Sequence, residues 1–198
     1  AAGVGHVVKL SGGEFITSEN SPGMIGRAHW QVEEAIKASG LDWTFLRPGF
    51  FMQNFLNMGE MVKGMGKIMM PLPADVKIAM VDVRDTADVA TGILTSDGHA
   101  GQAYAIAGLE RSPAQATAAI AGAAGKDVAF VTVPMEGAVA AMKERGMPDW
   151  LVDHQSVMLN LAGSGEMVGT NELIQTIAGH APRDLSDFAN DHAGAFRA

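Results

Sequence analysis

Gly26-Arg-Ala-His-Trp-Gln-Val-Glu-Glu-Ala-Ile-Lys-Ala-Ser-Gly-Leu-Asp-Trp-Thr-Phe-Leu-Arg-Pro-Gly-Phe-Phe-Met-Gln-Asn-Phe55 is the stretch that decides the fold. Ile25, Val32, Ala35 and Ile36 recur at near-helical spacing after Pro22, which predicts a helix over 23–39. Gly40 then stops it, because glycine takes positive φ without strain at Cβ. Leu41 to Leu46 reads as a buried strand broken by Pro48 and Gly49. The spacing of Phe51, Phe55, Met58 and Met61 predicts a second helix running to about Lys63. A strand-to-helix turn at the carboxyl end of a strand is where open α/β sheets hold their ligands.

Upstream, Val4, Val7, Val8 and Leu10 form an apolar run that ends in Ser11-Gly12-Gly13. A run rich in β-branched residues reads as a strand of a parallel sheet, buried on both faces and in need of neighbours. Downstream, strands are expected at 67–70, 76–81, 102–106 and 128–133. Helices are expected at 84–94, from Ser112 to about Gly122, and at 135–145, 149–161 and 171–178. A last helix is expected near 184–192, capped by Asp184 or Ser186. Ser112-Pro113-Ala114-Gln115 carries three agreeing start signals: a serine cap, a proline in the first turn and the glutamine of a capping box. This order gives an α/β chain: the C-terminal portion of a doubly wound, Rossmann-type parallel sheet with a small, mostly helical region attached.

Composition narrows the function. The chain has 198 residues, 47% hydrophobic and 18% charged, which suits one globular unit rather than a disordered one. A formal charge of -8 argues against a nucleic-acid partner, which needs clustered Lys and Arg. With no cysteine, disulfides and thiolate metal sites are excluded. No apolar run reaches the length of a membrane span. The opening Ala1-Ala-Gly-Val-Gly-His6 has no basic region or apolar core of a signal peptide, so a cytoplasmic location and no membrane partner are expected.

The segment from Gly26 to Phe55, with its Arg47-Pro-Gly-Phe-Phe51 corner and downstream Asn54, resembles the NmrA-like family of atypical short-chain dehydrogenase/reductases. His180-Ala-Pro-Arg-Asp-Leu-Ser-Asp-Phe188 is similar to the family's closing motif. The resemblance implies an NAD(P)-binding domain, of which 1–63 would be the back half, and a substrate-binding region over 64–198. In that region strands return to the sheet near Val81 and Ile106. It also implies a preceding part of roughly 80 residues, the span of two to three β-α units, with the glycine-rich loop that this sequence does not contain. The chain is therefore expected to be a partial product of a reductase. In isolation it would bind nucleotide poorly and leave strand edges open to pairing.

On this resemblance the cofactor is NADP or NAD, and the activity is hydride transfer to a small carbonyl, quinone or similar electrophile. The rival reading is a dinucleotide-binding redox sensor that docks on a regulatory protein partner. Candidate cofactor contacts are Ser11, Gly12, His29, Pro48, Gly49, Phe50 and Phe51. Phe51, Asn54 and Phe55 are the candidate walls of a small-molecule substrate pocket.

Two residues are candidate catalysts. Ser11 stands where short-chain dehydrogenases place a hydroxyl that donates to developing negative charge. His29 lies on the helix that usually carries Tyr-x-x-x-Lys, a pair this chain lacks, since its only tyrosine is Tyr104. Imidazole can donate a proton near neutrality, or simply hold a cofactor hydroxyl. Glu33, one turn on, is read as orienting its neighbours. Asp82, Asp85 and Asp88 have no histidine at ligand spacing, so no metal is expected; Asp85 or Asp82 should cap a helix instead. The methionines from Met52 to Met70 are read as core filler or as a soft, apolar substrate pocket.

Overall fold

In the computed structural model, which describes residues 3–197, the first strand β1 (His6–Leu10) leads into helix α1 (Met24–Ala38) and then β2 (Asp42–Pro48). Gly40, at φ +78°, makes the turn between them. β1 and β2 are parallel, with Val7 opposite Trp43 and Leu10 opposite Leu46. The chain continues through β3 (Phe50–Phe51), a 3-10 segment (Met52–Met58), α2 (Gly59–Met65), β4 (Lys67–Met70), β5 (Ile78–Val81) and α3 (Val83–Thr95). Next come β6 (Gln102–Ile106), β7 (Leu109–Arg111), α4 (Pro113–Ala124), β8 (Ala129–Thr132), α5 (Met135–Glu144), α6 (Asp149–Ser164), a π turn (Ile174–Ala178) and α7 (Leu185–Asp191).

The first sheet has the order β1-β2-β6, all parallel. β2 is thus the central strand, and β1 pairs on one side only among the described residues. Because side chains alternate across a strand, Val8, Leu46 and Ile106 share one face. That face meets Val89 and Ile93 of α3 and Ile174 of the π turn. The opposite face, with Lys9, Phe45 and Arg47, lies under α1, whose Lys37 ammonium sits over the Trp43 and Phe45 rings. The larger core lies beyond the corner, where Met52, Phe55, Ile68, Met80, Ile120, Phe188 and Phe196 pack together. Met52 and Met70 belong to this core, whereas Met65 is exposed. No helix among the described residues is long and apolar enough to cross a membrane.

Most expected elements form, including the complete capping box at Ser112–Gln115 and the Asp184 cap of α7. The structure departs from the sequence pattern at four places, for identifiable reasons. No helix starts at Phe51: Phe50 and Phe51 extend the backbone to pair with Met80 and Val81 of β5. Only glycine permits that approach at position 49, since a Cβ there would stand 2.5 Å from the Ala79 carbonyl oxygen. The antiparallel strand β7 was not expected, because Glu110 and Arg111 interrupt its short apolar pattern. The stretch 171–178 forms a single π turn rather than a regular helix. Finally, α1 is turned about its axis relative to its apolar pattern. Val32 and Ala35 face outward, while Gly26 and Glu33 are the buried positions.

Candidate functional site

The rotation of α1 has a cause in the strands beneath it. β1 and β2 end in Lys9, Ser11 and Arg47 on the α1 face, and a helix covering those groups must bring polar partners. Glu33 does so: its side chain is fully buried. Ser11 Oγ donates to Glu33 Oε1 at 2.6 Å. Arg47 grips both oxygens, from Nε to Oε1 at 3.1 Å and from Nη2 to Oε2 at 2.5 Å. Such a two-point guanidinium–carboxylate pair is the strong form of a charged hydrogen bond. Burial alone would raise the pKa of Glu33. The bonds from Arg47 and Ser11, with the positive charges of Arg47 and Lys9, outweigh burial and hold it below the usual carboxylate range.

Lys9 completes the cluster. Its ammonium donates to Ser11 Oγ at 2.9 Å and lies 3.0 Å from His29 Nδ1. Burial lowers the Lys9 pKa, with Glu33 opposing and Arg47 assisting. His29 is lowered for the same first reason, then by Lys9 and more weakly by His154, against the pull of Glu33. The loop after β1 is packed tightly between these groups. A Cβ on Gly12 would meet the His29 ring at 2.9 Å; one on Gly13 would clash with the Phe15 ring and stand 2.9 Å from the Pro48 oxygen. Loop 11–13 therefore joins the charged cluster to the Pro-Gly corner without a gap.

At that corner opens a cavity of about 250 Å³, lined by Phe15, Arg47, Pro48, Gly49, Ala105 and Met167 among others. It lies at the carboxyl ends of β2 and β6. A second cavity of about 210 Å³, between the start of α1 and α6, is lined by Met24, Arg27, Trp150 and His154. His154 Nδ1 is buried without a hydrogen-bond partner among the described residues, and burial lowers the pKa of its ring.

The structure places the sequence candidates unevenly. Ser11, Gly12 and His29 meet in one cluster, and Pro48 and Gly49 line the larger cavity. Phe50 and Phe51 turn aside into the two hydrophobic clusters flanking the corner. Asn54 is exposed, and Phe55, 2% exposed, is embedded in the main core against the edge of Phe50. Gln53 ties this segment to the start of α3, donating to Asp82 Oδ1 at 3.0 Å and accepting from the Val83 amide. Asp82 caps α3, one of the two aspartates, Asp85 or Asp82, expected to do so.

Lys9 escaped the sequence reading, and Arg47, the start of the Pro-Gly corner, carried no role of its own in it. Lys9 did leave a signal: an amine inside a Val-Val-Lys-Leu strand must have a partner within reach. Asp85, Asp88 and His180 also have ligand atoms within 4.8 Å of one another, a meeting that local spacing does not disclose. Arg183 already occupies this group, bonded to both carboxylates.

Comparison with known proteins agrees with this architecture. The family model described as the NmrA-like family matches residues 4–185. The NAD(P)H azoreductase of Xenophilus azovorans is 37% identical over 198 residues, which are all of this chain and 68% of that protein. An NADPH-dependent quinone oxidoreductase from Escherichia coli, solved with NADPH, superposes with a TM-score of 0.82 at 25% identity, over 97% of this chain and 67% of that one. The negative transcriptional regulator NmrA, solved with NADP, superposes at 0.70 with 17% identity, over 94% of this chain and 63% of that one, a likeness of fold alone. The chain thus belongs to the NmrA-like family.

Proposed function

We propose that this chain carries the nicotinamide end and the substrate side of an NAD(P)H-dependent reductase of the NmrA-like type, acting on a small quinone, carbonyl or comparable conjugated electrophile. The observation that supports it best is the linked set Lys9, Ser11, His29, Glu33 and Arg47, joined through loop 11–13 to the cavity at Pro48 and Gly49. Ligand pockets for whole drug-sized molecules span about 300–1,000 Å³. A cavity of about 250 Å³ suits one flat ring, such as a nicotinamide, and not a complete dinucleotide. Its apolar lining suits that ring, with Pro48, Gly49 and three alanines beside the Phe15 ring, and Glu14 and Glu166 add two carboxylates.

When bound, the cofactor supplies the hydride. The protein's part is positional and electrostatic. Ser11 and Arg47 hold Glu33 as a fixed carboxylate, and His29 presents a donor to the oxygen or nitrogen that becomes negative. Residues 1–63 would hold the ring, and 64–198 would supply most of the substrate wall. The azoreductase and the quinone oxidoreductase, both named for reduction with NAD(P)H or NADPH, point to the same class of acceptor.

The absence of Tyr-x-x-x-Lys on α1 favours one rival, a nucleotide-binding regulator without turnover. Titration with NADPH and NADH, followed by a panel of quinones and azo compounds, decides between them. Acceptor-dependent oxidation of the nucleotide supports the reductase. Nucleotide binding without turnover selects the regulator, and neither binding nor turnover refutes both for this chain.

A further inference from the structure

His29 presents a chemical difficulty for any reduction at this site. A quinone that has taken up hydride bears an anionic oxygen and needs one proton. Burial and the Lys9 charge keep the imidazole neutral near pH 7. A neutral imidazole that gives its single N–H proton away becomes an anion, unless its other nitrogen receives a proton at the same time.

The geometry supplies that second proton. An ammonium group has donors and no acceptor, so a charged Lys9 must donate to His29 Nδ1 across their 3.0 Å contact. The hydrogen of His29 then sits on Nε2. That atom makes no hydrogen bond within the described chain and is not among the buried unpartnered atoms, so it keeps some exposed surface. We propose that Lys9 is a positioning residue of the reduction: it fixes His29 as the Nε2–H tautomer and replaces, at Nδ1, the proton that Nε2 gives to the reduced acceptor. The inference rests on the reductase reading above.

The balance closes. One N–H bond of Lys9 breaks as the Nδ1–H bond forms, and the Nε2–H bond breaks as the acceptor O–H forms. Lys9 is left as a neutral amine and His29 as the Nδ1–H form; the resting pair is restored when Nε2 takes a proton from water and Nδ1 returns its proton to the amine. The charged groups around the pair suit this traffic. Burial and Arg47 disfavour charge on Lys9, Glu33 opposes them, and His154 of α6 further disfavours a doubly protonated His29. Ser11, bonded to both Lys9 and Glu33, holds the amine in line.

Two measurements test this. Nitrogen NMR of the imidazoles in the 198-residue chain should show His29 as the Nε2–H form. Lys9→Met should mix the tautomers and raise the His29 pKa, whereas Lys9→Arg, which still donates to Nδ1, should keep the tautomer. An Nδ1–H tautomer in the unsubstituted protein, or an unchanged His29 titration in Lys9→Met, would overturn the pairing.

The second measurement compares two acceptors with NADPH: a quinone, which needs a proton, and a cationic triphenylmethane dye, which needs hydride alone. Lys9→Arg should lower the quinone rate relative to the dye rate by about tenfold or more, within the range of general-acid contributions. An unchanged ratio refutes the proton supply. If the unsubstituted protein reduces neither acceptor, the reductase reading falls and takes the proton-supply half with it. The NMR result still decides the Lys9–His29 pairing on its own.

Discussion

Glu33→Gln isolates the charge at the centre of the site. Glutamine keeps the size of the side chain and one acceptor oxygen, so the change removes a charge and leaves the packing in place. Glu33 has no exposed side-chain surface, whereas its partner Arg47 keeps 17% of its own. Breaking a buried pair by removing one member costs about 3–5 kcal/mol, because the other charge stays buried and uncompensated. The partial exposure of Arg47 puts the expected loss at the low end, about 3 kcal/mol, which for a chain of this size lowers Tm by about 6–12 °C. Urea unfolding and calorimetry would measure it.

The loss should also depend on pH. Because the folded protein holds Glu33 below its ordinary pKa, the unfolded chain binds that proton first as the solution is acidified. The stabilisation is therefore complete above about pH 4.3 and disappears as pH falls through the lower folded value. The gap between the two proteins should be widest at neutral pH and close in acid. A penalty under about 1 kcal/mol, or one constant from about pH 7 to about pH 3, would refute the assignment of a buried, paired carboxylate. Replacing both partners by methionine should recover part of the loss, since an apolar pair leaves no stranded charge.

Two further substitutions test the corner and the acidic cluster. Gly49→Ala should destabilise the chain by about 1–3 kcal/mol, because its methyl group meets a backbone carbonyl that cannot step aside. Gly122→Ala in α4 meets nothing within 4 Å and should instead stabilise by about 0.5–1 kcal/mol, so opposite shifts in the urea midpoint are expected. Zinc should leave the Tm of the unsubstituted protein unchanged, since Arg183 already occupies the carboxylates of Asp85 and Asp88. Arg183→Ala should lower stability in zinc-free buffer and recover it when zinc reaches Asp85, Asp88 and His180; a zinc response in the unsubstituted chain would contradict this.

What the sequence discloses here follows the range of the interactions. The capping box at Ser112, the turn at Gly40 and the runs that become β1, β2 and β6 depend on neighbours a few residues away, and all are readable from the chain. The meeting of Lys9 with His29, or of Asp88 with His180 across 92 positions, depends on how the sheet and helices close, and no local pattern carries it. Phe50 and Phe51 show the same limit from the other side. Their spacing continued a helical pattern, but pairing with β5 satisfied backbone groups that a helix would have satisfied otherwise, and tertiary pairing decided the outcome.

The apolar pattern of α1 departs from its burial for a more instructive reason. Apolar periodicity locates a buried face only if the surface beneath the helix is apolar too. Here the strands below end in Lys9, Ser11 and Arg47, so the inward stripe is Gly26, His29 and Glu33, at spacings of three and four, and Val32 is left 47% exposed. That exposed valine is the cost of a polar interior. A helix selected for stability alone would have turned Val32 and Ala35 inward and left the glutamate in water. The arrangement instead keeps a carboxylate, a lysine and an imidazole linked to Arg47, which lines the larger cavity, in a position where Tyr-x-x-x-Lys is missing. Local preference is overridden at the one helix face where proton chemistry would take place, and that conflict is itself an argument that the face is functional.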